Sequence, residues 1–355
     1  MHANTGFDQD SMSRGHINNV MYNRYAETAV YDHAAGEEGR AEALHGGGAP
    51  EDVLDAGGGQ GGVPGERDES SRPLGNWKAE AGEARQTILV TGAAHGIGKA
   101  LATEYAKAGA RVVLADVQRE PQDAVAEALR RDGFDARSYY CDVGSDDSVR
   151  DLAAAVRADV GAVDVLHNNA VLIRSGGILD LDMASLQLQM NVNICGYLRV
   201  IKAFLPGMIE RGGGGHIVNT ASPNGNVPAP IVADNLLPYC LCKAAAISMS
   251  QCMAASLAPH GIAVSVVFPD ITYTDTVESL SGSSSDAFHQ GFRGFLKENG
   301  ESAEVVAKKI VDGVRTREFF VNTAPGYEEA LVTWAQSRMD PMRDYLGEAM
   351  AKHKR

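Results

Sequence analysis

From Gln86 onward, short runs of aliphatic residues alternate with longer stretches whose apolar positions recur at helical spacing. Ile88-Leu89-Val90, Val112-Val113-Leu114, VDVL at 163–166, Ile217-Val218 and IAVSVV at 262–267 are each bounded by Gly, Asp or Asn. Near-continuous apolar runs of this length are expected of strands covered on both faces. After the first of them, Ile97, Leu101 and Tyr105 fall at i, i+4 and i+8, one stripe on one helix face. Strand then helix, repeated, predicts an α/β fold: a doubly wound parallel sheet of Rossmann type with helices on both faces, over residues 86–325. Residues 326–355 form a helical tail on this pattern, with helical spacing through Leu331, Trp334 and Met339.

Upstream of Gln86 the pattern stops. Residues 1–85 hold 15 of the 39 glycines and 15 acids against 7 Lys/Arg, more than half of the net charge of −14. The stretch 46–72 has too few large apolar residues to offset the entropy of ordering, which predicts a mostly disordered N-terminal extension. Acidity over the whole chain, with no local Lys/Arg cluster, argues against a nucleic-acid partner. Five cysteines (Cys141, Cys195, Cys240, Cys242 and Cys252) have neither disulfide-framework nor zinc-site spacing, so free thiols and no metal are expected. No apolar run reaches the roughly 18 residues of a membrane span, and the polar N-terminus lacks a signal-peptide pattern. A cytoplasmic location is the expectation.

The candidate chemistry begins at Thr91-Gly92-Ala93-Ala94-His95-Gly96-Ile97-Gly98, directly after the first strand and at the start of the first helix. Glycines there let backbone N–H groups approach a pyrophosphate, whose charge the helix N-terminus favours. The second strand ends in Asp116, 18 residues past Gly98, where a carboxylate can accept from the adenosine ribose hydroxyls. A carboxylate repels a 2′-phosphate, which favours NAD, with NADP possible because His95 and Arg119 lie nearby. Further on, Tyr239 and Lys243 sit at i and i+4, on one face of a predicted helix. A tyrosine with a pKa of about 10 is a poor base near neutrality, and an adjacent cation favours its phenolate.

The loop TGAAHGIG, Asp116, CDV, NNA, VNICG, GHIVNTAS and YCLCK occur in the order seen in short-chain dehydrogenases/reductases, and residues 86–325 resemble that family. The resemblance implies an oxidoreductase that interconverts an alcohol and a carbonyl. By it, Tyr239 is the general acid/base, Lys243 lowers its pKa and holds the nicotinamide ribose, Ser222 positions the substrate oxygen, and Asn193 holds a water behind Lys243. It also puts Gly92, His95, Gly96, Ile97 and Gly98 at the phosphates, Asp142 and Val143 beside the adenine, and Asn169 and Ala170 in the cofactor groove. Pro269, Ile271, Thr272 and Thr274 correspond to the stretch meeting the nicotinamide. A homodimer or homotetramer, built on the helices after the fourth and fifth strands, is implied as well.

Three features depart from the family pattern. Val171 stands where a glycine is usual, Asp270 follows Pro269 where a glycine is usual, and the 17-position spacing from Ser222 to Tyr239 is longer than the family's by about four. Pro228, Pro230 and Pro238 in that loop predict a stiff bulge over the site mouth, with Ser222 still facing Tyr239. Phe288, Phe292 and Phe295, at i, i+4 and i+7, predict either an apolar lid over a lipophilic substrate or ordinary core packing. Residues 7–29 resemble a fragment of hotdog-fold acyl-CoA thioesterases, with Asp10 at that family's acid and a brief helix over 18–31, too short to build that fold alone. Two alternatives to the enzyme reading follow: a nucleotide-binding sensor or scaffold without turnover, and, more remotely, a thioesterase.

Overall fold

The computed structural model describes residues 85–341. The N-terminal extension with its linker, Asp10 and the helix expected over 18–31, and the tail past 341, lie outside the described residues.

Seven parallel strands form one sheet in the order β3-β2-β1-β4-β6-β7-β9. They are β1 Thr87–Thr91, β2 Arg111–Asp116, β3 Ala136–Tyr140, β4 Val165–Asn168, β6 Gly215–Thr220, β7 Ile262–Phe268 and β9 Phe320–Asn322. A two-residue pair, β5 Arg174–Ser175 with β8 Ser281–Gly282, stands apart from the sheet. The helices are α1 Gly96–Lys107, α2 Arg119–Arg131, α3 Asp146–Asp159, α4 Met183–Met190, α5 Gly196–Arg211, α6 Pro230–Asn235, α7 Leu237–Leu257, α8 Asp286–Asn299, α9 Ala303–Val314 and α10 Tyr327–Gln336. All five sequence-predicted strands are present. The two it does not name, β3 and β9, are the sheet's edges.

Alternation along the strands divides the core between the two faces. Ile88, Val90, Val112 and Leu114 pack with Leu101, Tyr105, Val306 and Ile310 of α1 and α9. Leu89, Val113, Leu166 and Ile217 point the other way, against Leu152, Val200 and Phe204 of α3 and α5. Each of these strand residues is fully buried, as a period of two demands of a sheet covered on both sides. The chain builds outward from β1 to β3, then crosses back to place β4 on the other side of β1. The carboxyl ends of β1 and β4 therefore diverge, which opens the crevice where ligands bind in such sheets.

One expectation is corrected here. The helical spacing at the C-terminus ends with α10: its Tyr327 packs on Phe268 and Phe320 in the core, but Met339 lies beyond the helix, exposed and in the left-handed region at φ 63°. Two helical stretches, Met183–Arg211 and Leu237–His260, are long and apolar enough by composition to cross a membrane, with a hydropathy of 1.3. Both lie with one face on the sheet, and α7 buries Lys243 within it.

Candidate active site

The phosphate loop is built as its glycines predict. A Cβ at Gly98 would run into the Gly92 carbonyl and come within 2.6 Å of Asn169 Nδ2, so the first turn of α1 can close onto β1 only with glycine there. His95 caps α1 with its backbone alone, which leaves the N–H groups of the first turn without a side-chain acceptor. Its ring lies 3.3 Å from Gln118 Oε1 instead. Ile97 packs against the core of the α1 face. Asp116 is buried beneath the loop: one carboxylate oxygen accepts from Ala94 N–H at 3.0 Å, the other from Gln118 N–H at 2.9 Å. The acid thus shapes the loop, and each oxygen keeps a further lone pair for a hydroxyl. Thr274 closes the other side, its side chain 3.0 Å from where a Gly96 Cβ would stand.

Asn169 and Ala170 serve the loop from below. Asn169 Nδ2 donates to the Thr91 and Gly92 carbonyls at 3.2 and 3.4 Å, and Thr91 Oγ1 accepts from both Asn169 N–H and Ala170 N–H. This fastens the end of β4 to the end of β1. Thr91 carries that junction, although sequence reasoning assigned it nothing; its hydroxyl at the last buried position of a strand was the available signal. Asp142 accepts from Gly144 N–H at 2.8 Å. The Val143 side chain is buried in the core against Gly196, so it supports the groove from behind. Val171 is exposed.

The four residues assigned to proton transfer come from three places: β6 supplies the approach to Ser222, α7 carries Tyr239 and Lys243, and Asn193 lies in a π-helical turn, Asn191–Cys195, between α4 and α5. Despite its lengthened loop, Ser222 still faces Tyr239, near enough to lower the phenol's pKa. It also accepts from Asn224 N–H at 3.3 Å, which fixes the serine at the start of the bulge. Lys243 Nζ donates to the Thr220 carbonyl at 2.7 Å and stands 5.6 Å from the centre of the Tyr239 ring. Asn193 spends its amide on the loop after β4, donating to Leu172 O and accepting from Leu172 N–H, both at 2.8 Å. Its amide also reaches the Cys242 thiol. A π-turn shifts the backbone hydrogen-bond ladder by one residue, and such turns concentrate at functional sites.

The electrostatics differ from the expected ones. Burial pushes the Tyr239 phenol up to about 12, only partly offset by Ser222. Lys243, also buried, is pushed down to about 8. With the ammonium turned to Thr220 O, its charge does not depress the phenol as the i, i+4 spacing predicts. Burial also raises Cys240, to about 12, and Cys242, so neither thiol is a nucleophile at neutral pH. Asp270 turns its carboxylate back onto Ile271 N–H at 2.7 Å, with Lys309 and Glu301 as charged neighbours, and burial raises its pKa. Thr272 Oγ1 donates to the Asp270 carbonyl, and Ile271 O accepts from Glu301 N–H, which holds the segment after Pro269 across to the start of α9.

Phe288 is buried and stacks on Phe292 at 5.3 Å between ring centres, in a cluster with Val232, Leu236 and Leu280. Tyr239, Ile173, Ile231 and Phe292 pack against that cluster while keeping part of their surface open. The bulge, α8 and Tyr239 therefore share one apolar wall. Both sequence alternatives for the phenylalanines hold in part: Phe288 is core, and Phe292 is half-open.

The profile of the short chain dehydrogenase family matches residues 86–284, more than half of the chain. The chain belongs to the short-chain dehydrogenase family. Its relatives include the "Probable oxidoreductase EphD" of Mycobacterium tuberculosis, 30% identical over 263 residues, which covers 72% of this chain and 43% of EphD. The chain thus spans less than half the length of that relative. Among solved structures, a short chain dehydrogenase/reductase from Burkholderia phymatum in complex with NAD superposes with a TM-score of 0.67 at 23% identity, over 75% of this chain and 97% of the other. A gluconate 5-dehydrogenase from Burkholderia cenocepacia in complex with NADP and tartrate superposes at 0.60, with 24% identity over 72% and 99%. At these identities the superpositions establish the fold of this family member.

Proposed function

We propose that the chain is a dehydrogenase that interconverts an alcohol and a carbonyl, with Tyr239 as the general acid/base. The observation that carries this is the convergence of a half-buried phenol, a serine beside it and a buried ammonium at the carboxyl end of the sheet, next to a glycine-built phosphate loop. A sensor or scaffold has no use for that group of side chains.

The residues fit a nicotinamide dinucleotide: the uncapped α1 N-terminus and Gly92, Gly96 and Gly98 would hold the pyrophosphate, Asp116 the adenosine ribose, and Lys243 the nicotinamide ribose. When bound, such a cofactor supplies or accepts the hydride. Ser222 orients the substrate oxygen toward Tyr239, whose hydroxyl gives up or takes the proton. Lys243 and Asn193 stand behind the tyrosine, where a water could carry the proton onward. The half-open faces of Ile173, Ile231 and Phe292 suit a substrate with an apolar portion next to its reacting carbon. NAD is favoured over NADP by the buried carboxylate of Asp116, and five free thiols suit a reducing, cytoplasmic setting.

Thermal-shift titrations check the cofactor first, because a ligand that binds only the folded state must raise the melting midpoint. NAD is expected to stabilise more than NADP, and Gly98→Ala to abolish the shift. Preference for NADP would sink the Asp116 argument, and no shift with either would sink the dehydrogenase. A homodimer or homotetramer through α5 and α7 is proposed from their outward apolar residues, Leu198 and Leu241. A sedimentation coefficient of a monomer at micromolar concentration would end that proposal.

A further inference from the structure

Past β4 the chain forms a strap, residues 172–177, that touches three parts of the site. Leu172 exchanges both of its backbone hydrogen bonds with the Asn193 side chain, at 2.8 Å each. Gly176 donates to Asn235 O at 2.6 Å and accepts from Leu237 N–H at 3.1 Å, two residues before Tyr239. Between these two anchors sits Ser175, 3% exposed, and it faces the segment leading into α8. Its hydroxyl lies 2.7 Å from His289 Nε2 and accepts from Ser284 N–H at 3.3 Å; its carbonyl accepts from Ser283 N–H at 3.0 Å. Gly282, at φ 148°, makes this approach possible, since a Cβ there would overlap the Ser175 backbone and stand 2.6 Å from its hydroxyl.

We propose that Ser175 is a positioning residue: through its clasp on His289 and Ser284, the seating of α8 over the site is coupled to the placement of Asn193 and Tyr239. A substrate that draws α8 down would tighten the strap, and with it the π-turn of Asn193 and the first turn of α7. The alternative is a merely local clasp that holds α8 and nothing else. The proposal uses the dehydrogenase reading only to name the groups being positioned.

Amide hydrogen exchange on the full chain separates these, and it needs neither cofactor nor substrate, so its failure and the failure of the dehydrogenase reading are distinguishable. Ser175→Ala is expected to speed exchange by about tenfold at Ser283 and Ser284, and also at Leu172 and Leu237, whose partners are Asn193 and the strap. The β1 amides stay unchanged. His289→Ala should reproduce the pattern, and His289→Gln, which keeps a hydrogen-bonding group opposite Ser175, should restore wild-type rates. Acceleration confined to Ser283 and Ser284, acceleration that spreads to β1, or failure of His289→Gln to restore would each overturn the coupling.

Discussion

Replacing Tyr239 by phenylalanine is expected to lower turnover by about 10²–10⁴-fold, the usual contribution of a positioned acid/base, with the cofactor's thermal shift preserved. The ring packs in the apolar cluster of Val232, Leu236, Leu280 and Phe288, and phenylalanine keeps all of that contact while removing only the hydroxyl. What is lost is the hydroxyl that faces Ser222 and the proton that moves. The pH dependence follows from the burial of both partners. In the oxidation direction the phenol must part with its proton. With its pKa near 12 the rate should climb by about tenfold per pH unit above neutrality. Lys243, near 8, loses its charge over the same range, but with its ammonium turned to the Thr220 carbonyl that charge does not act on the phenol, so the climb should continue through pH 8. In the reduction direction the protonated phenol is the reactive form, and the rate should stay level from pH 6 to 8. A Tyr239→Phe variant with wild-type turnover, or a reduction rate that rises as steeply as oxidation, would remove Tyr239 from the mechanism.

The sheet was legible in the sequence wherever a strand is covered on both faces. β1, β2 and β7 are apolar runs, and β6 carries the pair Ile217-Val218, because the two layers of helices leave little solvent on either side. β3 and β9 escaped notice for the opposite reason: as edges they are half-exposed, so ARSYY and FVN lack the continuous apolar run. In the site, the phosphate loop, Asp116 and the Tyr239 and Lys243 pair were readable because chain-local spacing fixes them. Less readable were contacts between distant segments, such as Thr91 with Asn169, Thr220 with Lys243 and Ser175 with His289. The i, i+4 spacing placed Lys243 beside Tyr239, but the side chain can swing to a carbonyl at the end of β6, and only the fold shows that it does. Resemblance put Val143 beside the adenine and Asn169 in the cofactor groove; that the Val143 side chain packs inward against the core and Asn169 Nδ2 bonds the end of β1 is legible only in the fold.

Acid is expected to destabilise the fold well before its surface carboxylates protonate, because two histidines are buried in the sheet in their neutral form. His167 on β4 lies between the Tyr105 hydroxyl at 2.9 Å and Thr220 Oγ1 at 3.2 Å. His216 on β6 bonds Ser265 Oγ at 2.8 Å. Burial pushes both down to about 3, with the Arg317 charge adding to the effect at His216. A histidine whose folded pKa lies below its unfolded value of about 6.5 favours the fold fully above 6.5, and that contribution is lost as pH falls toward 3. At pH 5 the unfolded chain has gained most of a proton at each site, and each histidine costs about 2 kcal/mol of stability. Together that is about 4 kcal/mol out of a typical 5–15, or a fall in Tm of roughly 8–16 °C for a domain of this size. Melting curves between pH 7 and 5 check the slope, and His216→Asn, which cannot titrate, should remove about half of it. A Tm flat over that range would mean that the sheet opens to solvent at these positions. The same measurement bears on the site, since His167 holds the Thr220 side chain and the Thr220 carbonyl holds Lys243. Because His167 stays neutral in the folded chain down to about pH 3, that anchor holds between pH 7 and 5, and turnover should fall there only as the lowered Tm brings unfolding into the assay range.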